Sequence, residues 1–329
     1  MSNFVEPQES ALLSDAELPS VADDRLRLIF TCCHPALSPE TQVALSLRLL
    51  CGLTTSEVAR AFLVSEPTMA ARITRGKKKI STSRIPYQVP TAVELPTRVD
   101  AVLSAIHLVF TTGHTAPSGS DLVRGDLVER ALDLARLLRS LLPDDAEVAG
   151  LLALIILTDA RRQTRTNSEG SLLLLSEQDR TKWDREAIAA GAVLVREALR
   201  SRPPGRFALM AAIAALHAEA PSWEETDWRE IVALYDVLLV AWPSPVVALN
   251  RAVAVGIVDG PEAGLAALSE LSSEDHLLSY NYLASTRADF LRRLGRRDEA
   301  RLAYQEALEL SENEVERAFL ASRLSELDS

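Results

Sequence analysis

The chain has 329 residues, a formal net charge of −11 and 47% hydrophobic residues. This length allows two or three domains at roughly 100 to 200 residues each, and only 13 glycines and 5% aromatic residues are typical of a helix-rich folded protein. The apolar run that ends at Leu157 is too short for a membrane span, which needs ~18 to 20 residues, and the acidic N-terminal stretch is not a signal peptide. We therefore expect a cytoplasmic protein without a disulfide framework, since its cysteines are only Cys32, Cys33 and Cys51.

The charge is distributed unevenly along the chain. Residues 1–24 carry six acidic and no basic side chains, whereas residues 25–90 carry ten Lys or Arg against three Glu. The remaining residues have a net charge of −12, so a small module of net charge +7 lies between acidic flanks. This asymmetry indicates that only the basic module contacts a polyanion.

Two short helices joined by a turn are predicted within the basic module, over residues 54–80. Thr54 followed by Glu57 is a capping-box pattern, in which each residue satisfies a backbone amide at the start of the first helix. Ser65 caps the second helix, and Pro67 is tolerated in its first turn. Residues 38–52 precede this pair and form a further predicted helix.

The second helix of the pair has an inner and an outer face. Met69 and Ile73 are four residues apart and are expected to pack inward, while Thr68, Ala71, Arg72 and Arg75 fall outside. That is the layout of a helix that enters the DNA major groove and holds phosphates with its basic end. An ordinary amphipathic pair that ends in a solvated Lys run is the alternative.

The motif formed by Gly52, Leu53, Thr54, Glu57, Val58 and Ala59, followed by the basic helix 65–79, resembles the C-terminal promoter-binding domain of bacterial sigma factors of the extracytoplasmic-function type. The whole chain from about residue 23 is similar to the subgroup with a C-terminal tetratricopeptide-like extension. The resemblance implies promoter DNA, at the minus-35 element, and core RNA polymerase as partners. With the helix pattern it leads us to expect DNA contacts from Arg72, Arg75, Thr68, Ala71, Lys77, Lys78 and Arg60.

The chain departs from the family pattern in three respects. Leu63 stands where the turn usually has Gly, so we expect a differently built or strained turn. Ala70 and Ala71 replace a basic residue and Ser, so base readout by hydrogen bonds is expected to be sparse. There is also no room before residue 23 for a promoter-melting domain, so we expect a truncated chain or a fragment, which holds the upstream promoter element but does not open DNA alone.

The acidic C-terminal part is predicted to be almost wholly helical. In the last unit Ala288, Gly295, Ala300, Tyr304 and Ala307 follow the tetratricopeptide pattern. A weaker copy includes Ala252, Gly264 and Leu268, and Ala252 precedes Ala288 by 36 residues. Such stacks present a concave surface to a protein or peptide partner. Polar side chains either line that surface or cap and connect helices, namely Asp159, Arg161, Arg162, Asp179, Arg180, Trp183, His217, Asn250 and Arg251.

The sequence thus predicts an all-α protein with four parts. These are an acidic disordered segment at 1–22, a three-to-four-helix helix-turn-helix domain at 23–83, a Pro-rich linker at 84–97 and a helical repeat domain at 98–329. We expect no catalytic, metal or cofactor site, because adjacent Cys32, Cys33 and His34 lack zinc-like spacing and are better explained by packing. The predicted function is a sigma-factor-like transcription initiation protein. The second hypothesis is a protein-interaction scaffold with a degenerate helix-turn-helix, and the third is a helical enzyme.

Overall fold

A computed structural model describes residues 17–62, 64–91, 93–271, 277 and 280–327. The predicted all-α fold is confirmed, since these residues are almost entirely helices and the loops between them. The N-terminal helices are α1 (Glu17–Cys32), α2 (Pro39–Leu49), α3 (Thr55–Ala61) and α4 (Glu66–Thr82). The next five are α5 (Leu95–His114), α6 (Gly125–Leu141), α7 (Ala146–Asp159), α8 (Arg185–Ala198) and α9 (Arg206–Glu219). The last six are α10 (Trp228–Ala241), α11 (Pro245–Val258), α12 (Pro261–Ser269), α13 (Asn281–Arg293), α14 (Arg297–Leu310) and α15 (Glu314–Glu326).

Helix α1 starts earlier than the sequence pattern predicts. Residues 17–22 belong to the helix, although we expected them in the disordered segment. Pro19 is compatible with this start because the first-turn amides of a helix have no intrahelical partner. The expectation for residues 1–16 lies outside the described residues.

The segment predicted as a linker packs against the N-terminal helices. Ile85 is buried, the carbonyl of Pro86 accepts a hydrogen bond from Thr31 Oγ1 at 3.3 Å, and the Tyr87 hydroxyl donates to the carbonyl of Asp24 at 3.1 Å. Residues 95–97 are already helical, because Pro96 falls in the first turn of α5. The segment therefore holds the two parts of the chain together.

A single hydrophobic core extends from the helix-turn-helix region into the following helices. The largest buried cluster runs from Leu26 in α1 to Ala218 in α9. Within it α2 packs on α5, and α1 packs on α5 and α6. Arg98 of α5 is buried beside Phe30, and its Nη2 donates to the Phe30 carbonyl. The helix-turn-helix thus shares its core with residues beyond 98.

Consecutive C-terminal helices pack together in pairs. Helices α11 and α12 pack together, as do α13 and α14. The small residues predicted at the packing positions, Ala252, Ala288, Ala300 and Ala307, are all buried. Gly295 has φ 72° in the turn before α14, a conformation that favours glycine. The chain therefore has the helix pairs of a repeat protein in this region.

A short parallel strand pair connects the C-terminal helices to the middle of the chain. Ser118–Gly119 pairs with Glu312–Asn313. The Asn313 side chain is fully buried and donates to the carbonyls of Ala116 and Asp121 at 3.1 and 2.9 Å. The same side chain caps α15, since its Oδ1 accepts hydrogen bonds from the amides of Val315 and Glu316. Asn313 therefore fixes the last helix against the loop after α5.

Helices α7 and α9 approach so closely that a Cβ at Gly150 would lie 2.6 Å from the Ala208 nitrogen and 2.7 Å from the Phe207 carbonyl carbon. We expect Gly150→Ala to lower the free energy of unfolding by about 1–3 kcal/mol, because the backbone cannot yield as a side chain could. Gly125→Ala is the control, since its Cβ would meet nothing nearer than an Arg162 nitrogen at 3.6 Å. Urea denaturation measures both variants, and equal stabilities would contradict the packing argument.

Candidate nucleic-acid interface

The two helices of the predicted helix-turn-helix begin at the caps that the sequence indicates. The amide of Glu57 donates to Thr54 Oγ1 at 3.2 Å, and the amide of Thr54 donates to Glu57 Oε2 at 2.7 Å. Helix α4 is capped by Ser65, which accepts from the amide of Thr68 at 3.4 Å. The predicted capping box is confirmed. The turn residue Leu63 lies outside the described residues.

The capping carboxylate of α3 has a second partner that sequence reasoning missed. Glu57 Oε1 accepts from Arg124 Nη1 at 2.9 Å, and Arg124 Nη2 pairs with Asp126 at 2.8 Å. The pKa of Glu57 is lowered, first by the hydrogen bond from the Thr54 amide and then by its contacts with the Thr54 side chain and Arg124. The start of the helix-turn-helix is thus ionically connected to the start of α6, across 67 residues of sequence.

The inner face of α4 packs as predicted. Met69 and Ile73 are buried, and Gly76 joins them in the core. A Cβ at Gly76 would lie 2.6 Å from Thr41 Cγ2 and 3.1 Å from Leu45 Cδ1. The missing side chain at Gly76 therefore lets α4 lie close against α2.

The residues predicted to contact DNA lie mostly on the solvent side of α3 and α4. Thr68, Ala71, Arg75 and Lys78 share the outer face of α4 at helical spacing and are exposed, Lys77 is exposed on its flank, and Arg60 is exposed near the end of α3. Arg72 is half-buried, with its guanidinium carbon 5.5 Å from the centre of the Phe62 ring. Arg72 therefore borders the outer face rather than occupying its centre.

Lys79 and Thr74 belong to the same surface, although we did not single them out from the sequence. Both are exposed on α4, and Lys79 continues the basic run. In the described part of the chain, none of the five Arg and Lys side chains of α4 forms a salt bridge. Arg72 does act on a carboxylate at longer range, since its charge contributes to the lowered pKa of Glu40, after the hydrogen bonds from the Glu40 amide and the Ser38 side chain. The outer face of α4 is therefore a basic surface without salt bridges among the described residues, which suits contact with phosphates.

Two groups on the basic surface have intramolecular contacts that limit base readout. The Thr68 hydroxyl lies 2.8 Å from the Ser65 hydroxyl, and Arg75 Nε donates to the Ala71 carbonyl at 3.3 Å. The exposed methyl groups of Ala70 and Ala71 add no hydrogen-bonding group. The surface is thus better suited to phosphate and methyl contacts than to dense hydrogen-bonded readout.

Comparison with known proteins decides the family. Residues 27–80 match the family described as sigma-70, region 4, and residues 98–199 match a family of unknown function. An uncharacterized protein of Rhizobium meliloti (strain 1021) is 42% identical over 323 residues, which cover 98% of this chain and 76% of that protein. The chain is a member of the sigma-70 family.

The region 4 match covers the basic module and ends at Ile80, inside α4. It thus includes α2, α3 and the outer-face residues of α4 up to Lys79. The second match begins at Arg98 and ends at Leu199, so it covers most of α5 and all of α6, α7 and α8. Since these helices share one core with region 4, this sigma-70 family member joins the two modules in one folded unit.

The cysteine cluster has the packing role that the sequence favours. Cys32 and Cys33 are fully buried, and burial raises the pKa of the Cys33 thiol to about 12. His34 Nδ1 accepts a hydrogen bond from the Ala36 amide at 3.1 Å. Among the described residues, no group of three or more His, Cys, Asp or Glu could hold a metal ion, and no helix is long and apolar enough to cross a membrane.

The close approach of α4 to α2 gives a test of how the interface is positioned. Gly76→Leu should lower the free energy of unfolding by about 1–3 kcal/mol and weaken DNA binding, because the added side chain pushes α4 away from Thr41 and Leu45. Ala70→Leu places a leucine at an exposed site of the same helix and serves as the control for stability, since Ala70 itself lies on the basic surface. Denaturation and DNA titration of both variants check this, and an unchanged Gly76→Leu protein would contradict it.

Proposed function

We propose that this sigma-70 family member is a transcription initiation factor of the extracytoplasmic-function type. Its helix-turn-helix binds the minus-35 promoter element, and the protein directs core RNA polymerase there. The observation that carries the proposal is the exposed basic face of α4 within the region 4 match. The remaining helices form a tetratricopeptide-like domain that regulates this activity or binds a partner.

The proposed binding mode follows from the composition of the α4 surface. Thr68 and Ala71 lie in the N-terminal half of the helix and face base edges, where the Ala71 methyl meets a thymine methyl. Arg72, Arg75 and the lysines that follow hold phosphates, and Arg60 does so from α3. Affinity then comes mainly from phosphates, whereas sequence preference is modest.

Titration of the full chain with duplex DNA selected from a random library tests the DNA-binding part. We expect the association constant to fall steeply with salt, so that its logarithm plotted against log salt has a slope of about −0.9 for each neutralised phosphate. A pull-down of the chain on immobilised, purified core RNA polymerase tests whether the protein binds the polymerase. Absence of DNA binding at low salt together with absence of polymerase binding would overturn the proposal.

A protein-interaction scaffold with a degenerate helix-turn-helix is the second candidate. It is favoured by the exposed alanines at positions 70 and 71 and by the stacking of Arg72 on Phe62, which leave few groups for reading bases. The same titration separates the two, because a scaffold would not bind duplex DNA even at low salt.

A further inference from the structure

A cavity of about 310 Å³ lies in the helical domain, far along the chain from the basic module. Its walls come from α7, α9, α10 and α11 and from the loops that follow α7. Most of the lining is apolar, namely Leu154, Leu157, Leu175, Trp183, Met210, Ile213, Ala214, Ala218, Leu238 and Val247. The polar lining residues are Thr158, Arg161, His217, Tyr235 and Asn250, so no carboxylate of the described residues lines the cavity.

Arg161 is the only cation in this lining, and it is unpaired. Within the described residues its guanidinium has no hydrogen-bond acceptor and no carboxylate partner. The neighbouring Arg162, in contrast, makes two hydrogen bonds to Asp159, at 2.6 and 2.7 Å. Arg161 is half-buried in the cavity wall, so its unpaired guanidinium is accessible to a ligand anion, which would compensate the charge.

The charges nearest to Arg161 also favour an anion. Arg165 and Arg180 both lower the Arg161 pKa, after desolvation by burial, and bring it to about 10. Arg180 donates to the carbonyls of His217 and Ala220 at 2.9 and 2.7 Å, which are neutral acceptors. Arg165 likewise donates to the His114 carbonyl and to the Thr115 hydroxyl. Arg161 thus has two further guanidinium groups near it. Carboxylates act on those two, Glu316 and Asp159 on Arg165 and Glu224 on Arg180, whereas no described carboxylate acts on Arg161 itself.

His217 supplies a second unused polar group at the cavity. The residue lines the cavity, its Nδ1 is buried without a partner, and no hydrogen bond of the described residues engages its Nε2, which is the nitrogen left for a ligand. Burial and the two arginines Arg161 and Arg180 lower the His217 pKa to about 4, so the ring is neutral near pH 7. A neutral imidazole can donate one hydrogen bond to an anion without adding charge. His217 therefore fits the role of a second ligand for an anionic head group.

We propose that this cavity binds a small monocarboxylate with an apolar body, whose head group pairs with Arg161 and His217. The planar guanidinium fork matches a carboxylate, and the apolar walls match a hydrocarbon or aromatic body. The volume lies at the lower end of the ~300–1,000 Å³ of ligand pockets, which indicates a small ligand. A single lining cation suits a monoanion better than a phosphate dianion. The site is independent of DNA binding by α4.

Calorimetric titration of the full chain with octanoate and with 4-phenylbutyrate tests the proposal, with octanamide as the uncharged counterpart. We expect at least one acid to bind the wild-type protein and to raise its Tm, whereas octanamide binds far more weakly. Arg161→Gln should weaken acid binding by about tenfold or more, since it removes a charged hydrogen bond. Arg251→Gln is the matched control, because Arg251 pairs with Asp236 outside the cavity lining.

A second variant keeps the test decisive if Arg161→Gln folds poorly. Ala214→Leu fills the cavity with apolar atoms, and we expect it to stay folded and to lose acid binding. Absence of binding by both acids to the wild-type chain would overturn the proposal. Binding that is equal in the wild type and in Ala214→Leu would overturn it as well.

Discussion

The double variant Arg72→Ala, Arg75→Ala should bind duplex DNA about 100-fold more weakly than the wild type at physiological salt, if each arginine contributes one charged hydrogen bond to a phosphate. Both side chains lie on α4, and neither forms a salt bridge with a described carboxylate. The salt dependence should change too. The loss of two phosphate contacts makes the negative slope of the log association constant against log salt shallower by about 1.8. Fluorescence anisotropy at several salt concentrations measures both quantities.

The matched control removes two arginines from the helical domain. Arg196 and Arg200 are exposed and four residues apart, near the end of α8, so Arg196→Ala, Arg200→Ala changes the net charge equally. We expect its DNA affinity to stay close to that of the wild type. A similar loss in both variants would mean that total charge, and not the surface of α4, sets DNA affinity. That result would contradict the proposed interface.

A chain ended after residue 94 should lose the folded helix-turn-helix. The buried apolar side chains that helix α5 contributes to the shared core include Val99, Val102, Leu103 and Ile106, each no more than 5% exposed. Each is worth roughly 1.5–3 kcal/mol when buried, while a whole domain is stable by only ~5–15 kcal/mol. The shortened chain also lacks Arg98, which donates to the Phe30 carbonyl, and Arg124, which pairs with Glu57.

Thermal unfolding followed by circular dichroism measures this effect, and DNA titration reports its consequence. A chain ended after residue 220 is the control, because it keeps every buried residue of the largest core cluster, from Leu26 to Ala218. We expect the longer chain to unfold cooperatively and the shorter one to show no cooperative transition and weak DNA binding. A cooperative transition in the shorter chain, with DNA affinity equal to that of the longer chain, would refute the shared core.

Local patterns allowed much of the helix-turn-helix to be predicted. The caps at Thr54 and Ser65 and the inward residues Met69 and Ile73 depend on contacts within a few residues, and those contacts can be read from spacing. Most helices of the acidic part were predictable for the same reason. Periodicity of apolar residues is a local signal, so it predicts elements even where their packing is unknown.

Contacts between distant segments could not be predicted in this way. The sequence gives no sign that Arg124 pairs with Glu57 or that Asn313 reaches the loop after α5, because these partners are 67 and 192 or more residues apart. The role that we propose for Arg161 was equally hidden. It was one of nine polar residues considered for a partner surface, and only the packing shows which of them are paired. Asp159 pairs with Arg162, and Asp236 pairs with Arg251. Arg161, in contrast, has no ion-pair partner among the described residues.

The central claim is that the outer face of α4 contacts DNA, and site-specific photocrosslinking tests it most directly. A benzophenone amino acid placed at Ala71, on that face, should crosslink to bound duplex DNA on irradiation. The same amino acid at Val193, which is 55% exposed on α8, should not. Crosslinking from Ala71 alone is the result that the account predicts. Crosslinking from Val193 but not from Ala71 would contradict it.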